Sequence, residues 1–174
     1  MATDPEGDNL TYTLFKADAA VMAINDDGFI TLNDNANFET KESYSIQVRV
    51  TDGEFTDTQD ILISVTDLND APIFTSNDQF TTNENSVAVG AVLATDEDQD
   101  SLVYTWQGSD AAAFDITELA NEAGLGISFK NAPNYEVDQQ SYNFTVSVAD
   151  NDTVVDQAIT INVLDINDAP TAID

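Results

Sequence analysis

Twice in this chain a run that alternates like a β-strand ends in the same short segment, Asp67-Leu68-Asn69-Asp70-Ala71-Pro72 and again Asp165-Ile166-Asn167-Asp168-Ala169-Pro170. Proline has no N–H to give a sheet ladder, and it pushes the residue before it towards an extended conformation. Each copy therefore closes a strand and presents two carboxylates and an amide on a stiff, extended connector. A chain punctuated in this way folds as successive β units, with oxygen ligands for a hard cation at the boundary.

The segment is part of a longer internal repeat. Asp4, Asp8, Leu10, Tyr12 and Ile24 reappear 92 positions later as Asp96, Asp100, Leu102, Tyr104 and Ile116. The offset then grows: Glu39 matches Glu136, and Tyr44, Val48, Asp52, Asp67 and Pro72 match Tyr142, Val146, Asp150, Asp165 and Pro170 at 98. The second copy thus carries about six extra residues, most of them around Thr117 to Gly126. Residues 73 to 95, including Asn83-Glu84-Asn85 and the apolar run Val87 to Ala94, have almost no counterpart in the first copy, because Met1-Ala2-Thr3-Asp4 already aligns with Leu93-Ala94-Thr95-Asp96. Nothing before Asp4 resembles a signal peptide. The expectation is two domains, 1–72 and 73–174, cut from a longer array with a start Met added.

Strands dominate the local pattern. Tyr44, Ile46, Val48 and Val50 alternate with polar residues, as do Tyr142, Phe144, Val146 and Val148, which is the period-two signature of a half-buried strand. Ile61, Ile63 and Val65, like Ile159, Ile161 and Val163, give each unit a closing strand. Turn signals at Asp26-Asp27-Gly28, Asp52-Gly53, Gly108-Ser109-Asp110 and Asp150-Asn151-Asp152 separate short strands, which points to an all-β sandwich. Only Ala17 to Ala23 and Asp110 to Phe114 read as helical, each a single turn, with Met22 and Phe114 as core plugs.

Charge narrows the partners. In 174 residues, 33 Asp plus Glu stand against 4 Lys plus Arg, a formal −29, so the surface repels nucleic acid and anionic lipid. Divalent cations or high salt are the natural counterparts, and halophilic or marine surface adaptation is the alternative explanation of the excess. The 42 % hydrophobic share is ordinary for globular chains, which argues against a disordered acidic tail. There is no Cys and no His, which removes the usual zinc sites and the Ser-His-Asp and Cys-His nucleophile systems.

In these motifs both units resemble cadherin repeats of bacterial surface proteins. The second unit carries the family's pattern in order: Glu84 in Asn-Glu-Asn, Ala-Thr-Asp-x-Asp with Asp96 and Asp98, Tyr104, Phe114-x-Ile116, Glu136, Val-Ala-Asp with Asp150, and Asp165 to Asp168. The first unit matches from Asp4 onward. The resemblance implies tandem seven-strand Greek-key β-sandwiches of cadherin or immunoglobulin-like kind, the first lacking its N-terminal strand, joined through Ca2+ at the linker. It also implies a ligand set of Glu39, Asp67, the carbonyl of Leu68, Asn69, Asp70, Asp96, Asp98 and Asp150. Calcium suits these groups because it takes six to eight oxygens at flexible geometry, whereas magnesium demands a stricter octahedron. This chain departs from the family at Asn37-Phe38-Glu39 and Asn134-Tyr135-Glu136, where an amide replaces an acid, and it has one residue between Asp70 and Pro72 where the vertebrate pattern has two.

The same residues admit other readings. Asp96-x-Asp98-x-Asp100 imitates an EF-hand loop, but Ser101 stands where Gly is needed and Gln107 where Glu is needed. Trp106, the sole tryptophan, lies inside a strand and away from an N-terminus, so it packs in the core or at an edge, or stacks on a sugar. Paired carboxylates can hydrolyse glycosides, yet the ordered acids are already assigned to metal ligation, so no catalytic residue is expected. The sequence therefore reads as a calcium-binding adhesion or spacer module, extracellular, on a bacterial surface or secreted. Its partners are calcium, neighbouring repeats of an array and homophilic protein contacts. The alternative is a calcium-dependent polysaccharide-binding module. An uncovered edge on the first sandwich is expected to recruit the tail after Pro170 or a neighbouring molecule.

Overall fold

The computed structural model describes residues 2–120 and 124–169, and the chain divides into two compact units, Met1–Leu68 and Asn69–Asp174. The expected filling of the first unit by the tail after Pro170 lies outside the described residues.

Unit 1 contains β1 (Thr11–Phe15), β2 (Met22–Ile24), β3 (Ile30–Leu32), β4 (Ser43–Thr51) and β5 (Thr56–Ser64). An antiparallel sheet runs in the order β1-β4-β5, and β2 and β3 form a separate hairpin. Gly28 sits in the turn of that hairpin at φ +77, with the Tyr12 ring 3.1 Å from where a Cβ would lie, so both the conformation and the space favour glycine. Alternation along β4 turns Tyr44 and Ile46 inward against Ile63 and Ile61 of β5. Among the described residues of this unit only Met22, Tyr44 and Ile46 are buried; Leu14, Ile30, Val48, Ile61 and their neighbours are half-covered.

Unit 2 contains β6 (Ile73–Phe74), β7 (Gln79–Asn83), β8 (Ala88–Thr95), β9 (Val103–Gln107), β10 (Phe114–Glu118), β11 (Gly124–Phe129), β12 (Ser141–Ala149) and β13 (Val154–Leu164). Two sheets, β10-β11-β8-β6 and β7-β13-β12-β9, close over a core of fourteen buried residues that includes Val92, Phe114, Leu125, Phe144, Val146 and Ile161. The opening strand is split between the sheets. Its first piece, β6, pairs antiparallel with β8, and its second, β7, pairs parallel with β13.

The two helical stretches are 3-10 turns, Ala17–Val21 and Ser109–Ala113. Met22 and Phe114 follow them directly and are buried, as core plugs should be. A carboxylate in each turn ties it to a distant strand. Asp18 accepts the N–H of Ser45 and the ammonium of Lys41, while Asp110 accepts the N–H of Asn143 and the side-chain amide of Asn143's near neighbour Gln139. Ser45 and Asn143 are 98 positions apart and Asp18 and Asp110 are 92 apart, so the same clamp survives the extra residues of the second unit.

Of the described residues, unit 1 has no counterpart of β6, β7 or β8, so the deficit expected at its first strand extends to the strand after it. Unit 2 instead has an aromatic centre, in which Phe114 lies 4.4 Å from Phe129 and 5.4 Å from Phe144 between ring centroids. Truncating such a ring loses its transfer free energy and leaves a cavity. Phe144→Ala is expected to destabilise unit 2 by about 3–5 kcal/mol. Trp106 lies on β9 in that unit, half-exposed at the sheet edge, so its fluorescence in a urea titration reads the effect. A shift below about 1 kcal/mol would show that Phe144 is not central to the packing.

Candidate functional site

The strands of unit 2 deliver carboxylates at their ends. β8 runs into Asp96, whose Oδ1 accepts the N–H of Asp100 at 3.1 Å and closes the loop between them. β12 runs into Asp150, which the following turn wraps: its Oδ1 accepts the N–H of Asp152 at 2.6 Å and that of Thr153, and its Oδ2 accepts the Thr153 hydroxyl at 2.8 Å. The connector joins the same end. Asn69 Nδ2 donates to Asp150 Oδ2 at 3.2 Å, and the Asp70 N–H donates to Asp98 Oδ2 at 2.6 Å.

Charge at this end is uncompensated by protein. Unit 2 has one Lys or Arg, Lys130, and its ammonium is engaged by the Ala112 carbonyl at 2.9 Å. The Asp100 carboxyl is pushed up by burial and then by the carboxylates of Asp96, Asp150, Asp98 and Asp152. Asp150 is held down at about 2, first by the N–H of Thr153, with burial opposing and the remaining donors, Asn69 among them, helping. Asp96 Oδ2 is buried and has no hydrogen-bond partner. An unpaired buried acceptor is costly, and a cation bound to it would satisfy it.

The opposite end of unit 2 holds a second acid group. Glu84, 1 % exposed, sends its N–H to the Leu164 carbonyl and accepts the N–H groups of Tyr135 and Ile166, both at 2.8 Å. These donors hold its carboxyl below the usual range against the opposing effect of burial. Carboxylate oxygens of Glu84, Glu136 and Asp165 lie within 4.8 Å of one another, and Asn134 Oδ1, from the Asn-Tyr-Glu segment, is buried without a partner.

Unit 1 repeats the first design and, among its described residues, part of the second. Asp4 Oδ1 accepts the N–H groups of Glu6 and Asp8, and Asp52 Oδ1 accepts those of Glu54 and Phe55, matching the wrapped Asp96 and Asp150. At its other end Glu39 and Asp67 bring carboxylate oxygens within 4.8 Å, and Leu68 is exposed. The expected ligands therefore fall into two sets: Glu39, Asp67 and Leu68 in unit 1, and Asn69, Asp70, Asp96, Asp98 and Asp150 in unit 2. Asn69 turns its NH2 towards Asp150, so ligation by its oxygen needs a rotation of the amide. Sequence reasoning placed Glu84, Glu136 and Asp100 in the repeat pattern without assigning them as ligands; the like charges around Asp100 needed the folded loop to be seen.

A family model described as bacterial Ig domain matches residues 1–64 and 69–163. The chain belongs to that family. Among curated proteins it is similar to the Fat-like cadherin-related tumor suppressor homolog of Drosophila melanogaster, 30 % identical over 132 residues that make up 69 % of this chain and 3 % of that protein. It is also similar to cadherin-20 of Mus musculus, 29 % identical over 185 residues, 91 % of this chain and 23 % of that one. The chain thus spans a small part of the length of these relatives. Among solved structures it resembles human protocadherin-24 EC1-2 form II with a TM-score of 0.60 at 23 % identity, covering 95 % of this chain and 87 % of that one. Mouse cadherin-23 EC22-24 aligns with a TM-score of 0.54 at 22 % identity, covering 91 % and 53 %. This member of the bacterial Ig family is built of tandem, all-β, cadherin-like repeats, and the family is non-enzymatic.

The two shifted acids make opposite predictions for unit 2 without metal. Asp150, depressed when folded, stabilises the fold fully above about pH 4 and loses that contribution as the pH falls towards about 2. Asp100, raised when folded, destabilises the fold at neutral pH and is relieved as the pH falls through its folded value. At pH 7 in chelator, Asp150→Asn should lower the urea midpoint and Asp100→Asn should raise it. Two shifts of the same sign would contradict this electrostatic picture.

Proposed function

We propose that the chain is a calcium-binding module of an extracellular adhesion or spacer protein, in which calcium stiffens the connection between consecutive repeats. The observation that carries this reading is the buried, partnerless Asp96 Oδ2 among carboxylates that no lysine or arginine neutralises. The donor set fits a hard cation: carboxylates, side-chain amides and carbonyls supply oxygen, and the chain has no Cys or His to favour a softer metal. Asp96, Asp98, Asp150 and Asn69 would hold one ion, and Glu39, Asp67, Asp70, Asp98 and the Leu68 carbonyl a second. Bound calcium supplies positive charge and many-fold oxygen coordination where the chain has like charges that repel. The residues themselves keep the carboxylates aimed, through the donors that wrap Asp150 and Asp96. Placement on a bacterial surface, neighbouring repeats in an array and homophilic contact belong to the same proposal, consistent with the adhesion proteins the chain resembles.

A second reading, a calcium-dependent polysaccharide-binding module, is favoured by the half-exposed Trp106 on the edge strand β9, since an exposed ring can stack on a sugar. Saturable binding on a glycan array that disappears with chelator would favour this reading over a spacer.

Ligand charge sets the number of ions. Asn37 stands where the family has an acid, and an amide brings an oxygen without charge, which lowers calcium affinity. Two ions should bind firmly and a third weakly or not at all. Extracellular modules bind calcium at roughly 10⁻⁴ to 10⁻³ M, and at ten times the dissociation constant each ion adds only about 1.4 kcal/mol. Chelation should leave the β-sheet circular dichroism intact. In calorimetry Asp98→Ala should weaken both firm ions together. Three equivalent ions, none at millimolar calcium, or loss of a single ion in Asp98→Ala would each count against the assignment.

A further inference from the structure

Unit 2 has a dent on its surface where unit 1 is filled. Gln107, Thr145 and Ala158 lie directly opposite one another across β9, β12 and β13. They share the face turned away from the core, since side chains alternate along a strand and the adjacent Val146 and Ile159 are buried. Ala158 is short, and Gly108, at φ +129, follows Gln107 where the chain turns into the 3-10 helix. Between longer side chains these two small residues leave a groove of about 440 Å³. Gln107, Ser109, Asn143 and Thr145 line it, and no lining residue is charged.

In unit 1 the same place is occupied. At the repeat's offsets of 92 and 98, Phe15, Lys16, Gln47 and Asp60 correspond to Gln107, Gly108, Thr145 and Ala158, and Phe15, Gln47 and Asp60 again lie opposite one another. There Lys16 Nζ meets Asp60 Oδ1 at 2.9 Å, and Gln47 Nε2 donates to the same oxygen at 2.8 Å. Glycine and alanine at the positions of that ion pair open the groove in unit 2 and leave its polar groups unengaged. Asn143 Oδ1 accepts the Thr160 hydroxyl at 2.9 Å, while the Asn143 NH2 and the Gln107 amide have no partner among the described residues.

This lining selects its occupant by charge. An anion finds no cation in the groove and is repelled by a chain of formal charge −29, and a cation finds no carboxylate in the lining. A protein partner needs an apolar anchor site, yet Phe144 and Ile159, the large apolar residues of the lining, are themselves buried in the core. An uncharged molecule rich in hydroxyl groups matches what remains, because an amide offers both donors and an acceptor and a hydroxyl does the same. The volume is within the range of small-molecule sites.

We propose that this groove is a subsite for an uncharged polysaccharide, with one sugar ring seated over Ala158 between Gln107 and Asn143. It rests on the polysaccharide reading for the class of ligand alone. It needs neither calcium nor Trp106, which stands on the opposite face of β9 across from Val146.

The test follows the side-chain amide NMR signals of Gln107 and Asn143 in the full chain. Cello-, manno- and xylo-oligosaccharides are added at millimolar concentration, in calcium and in chelator, with oligogalacturonate as the charged arm. One of the neutral sugars should shift both signals saturably, and equally with and without calcium. The double variant T145Q/A158D, which brings in the pair found in unit 1, should weaken binding by on the order of tenfold or more and leave the β-sheet circular dichroism unchanged. Ala158→Gln alone, at an exposed position, should weaken it as well. No shift with any neutral sugar, undiminished affinity in both variants, or tighter binding of oligogalacturonate would overturn the inference. Binding that disappears in chelator and in Trp106→Ala but survives Ala158→Gln would uphold the calcium-dependent reading and overturn this one.

Discussion

The register of β12 on β13 positions everything else in unit 2. Tyr142, Phe144, Val146 and Val148 face inward opposite Ile161, Ile159, Gln157 and Val155. A slip of one residue would turn that whole set outward, since side chains alternate faces with a period of two. The same register fixes where the strands stop. β12 ends at Ala149, so that Asp150 is the first residue of the turn, and β13 ends at Leu164, one residue before Asp165. Hydrophobic packing in the middle thereby places carboxylates at opposite ends of the unit, where local hydrogen bonds then aim them.

The acids are then handled in two different ways. Glu84 is taken out of water but given two backbone donors, which keeps a buried carboxylate ionised and fastens three segments around it. Asp100 receives no such help in its loop and feels four neighbouring carboxylates instead. A backbone donor and a cation do the same electrostatic work on a carboxylate. The pattern of donors already in place marks which oxygens still need one.

Strands, turns and core plugs were legible in the sequence because each is written locally: the alternation of Tyr44 to Val50, the Asp-Asp-Gly turn at Gly28, and apolar Met22 and Phe114 straight after a one-turn helix. The all-β tandem architecture followed from the repeat. What the sequence could not display were contacts between distant segments. Asp18 reaches Ser45 across 27 positions and Asp110 reaches Asn143 across 33, and no spacing rule announces such a clamp. The split of the opening strand into β6 and β7 likewise depends on which sheet offers a free edge. At the candidate site, residue types were readable from motif order, but the direction of the Asn69 amide and the lone oxygen of Asp96 depend on hydrogen-bond geometry.

Parallel pairing of β7 with β13 sets how unit 2 would carry a pull. The two strands lie close to opposite ends of the unit's sequence yet run side by side in the same direction. Tension applied through residues before β7 and after β13 drags one strand lengthwise past the other. The ladder bonds are then loaded together in shear, whereas peeling a hairpin would break them one after another. With no cysteine anywhere in the chain, that set of hydrogen bonds stands where a covalent bridge would otherwise take the strain.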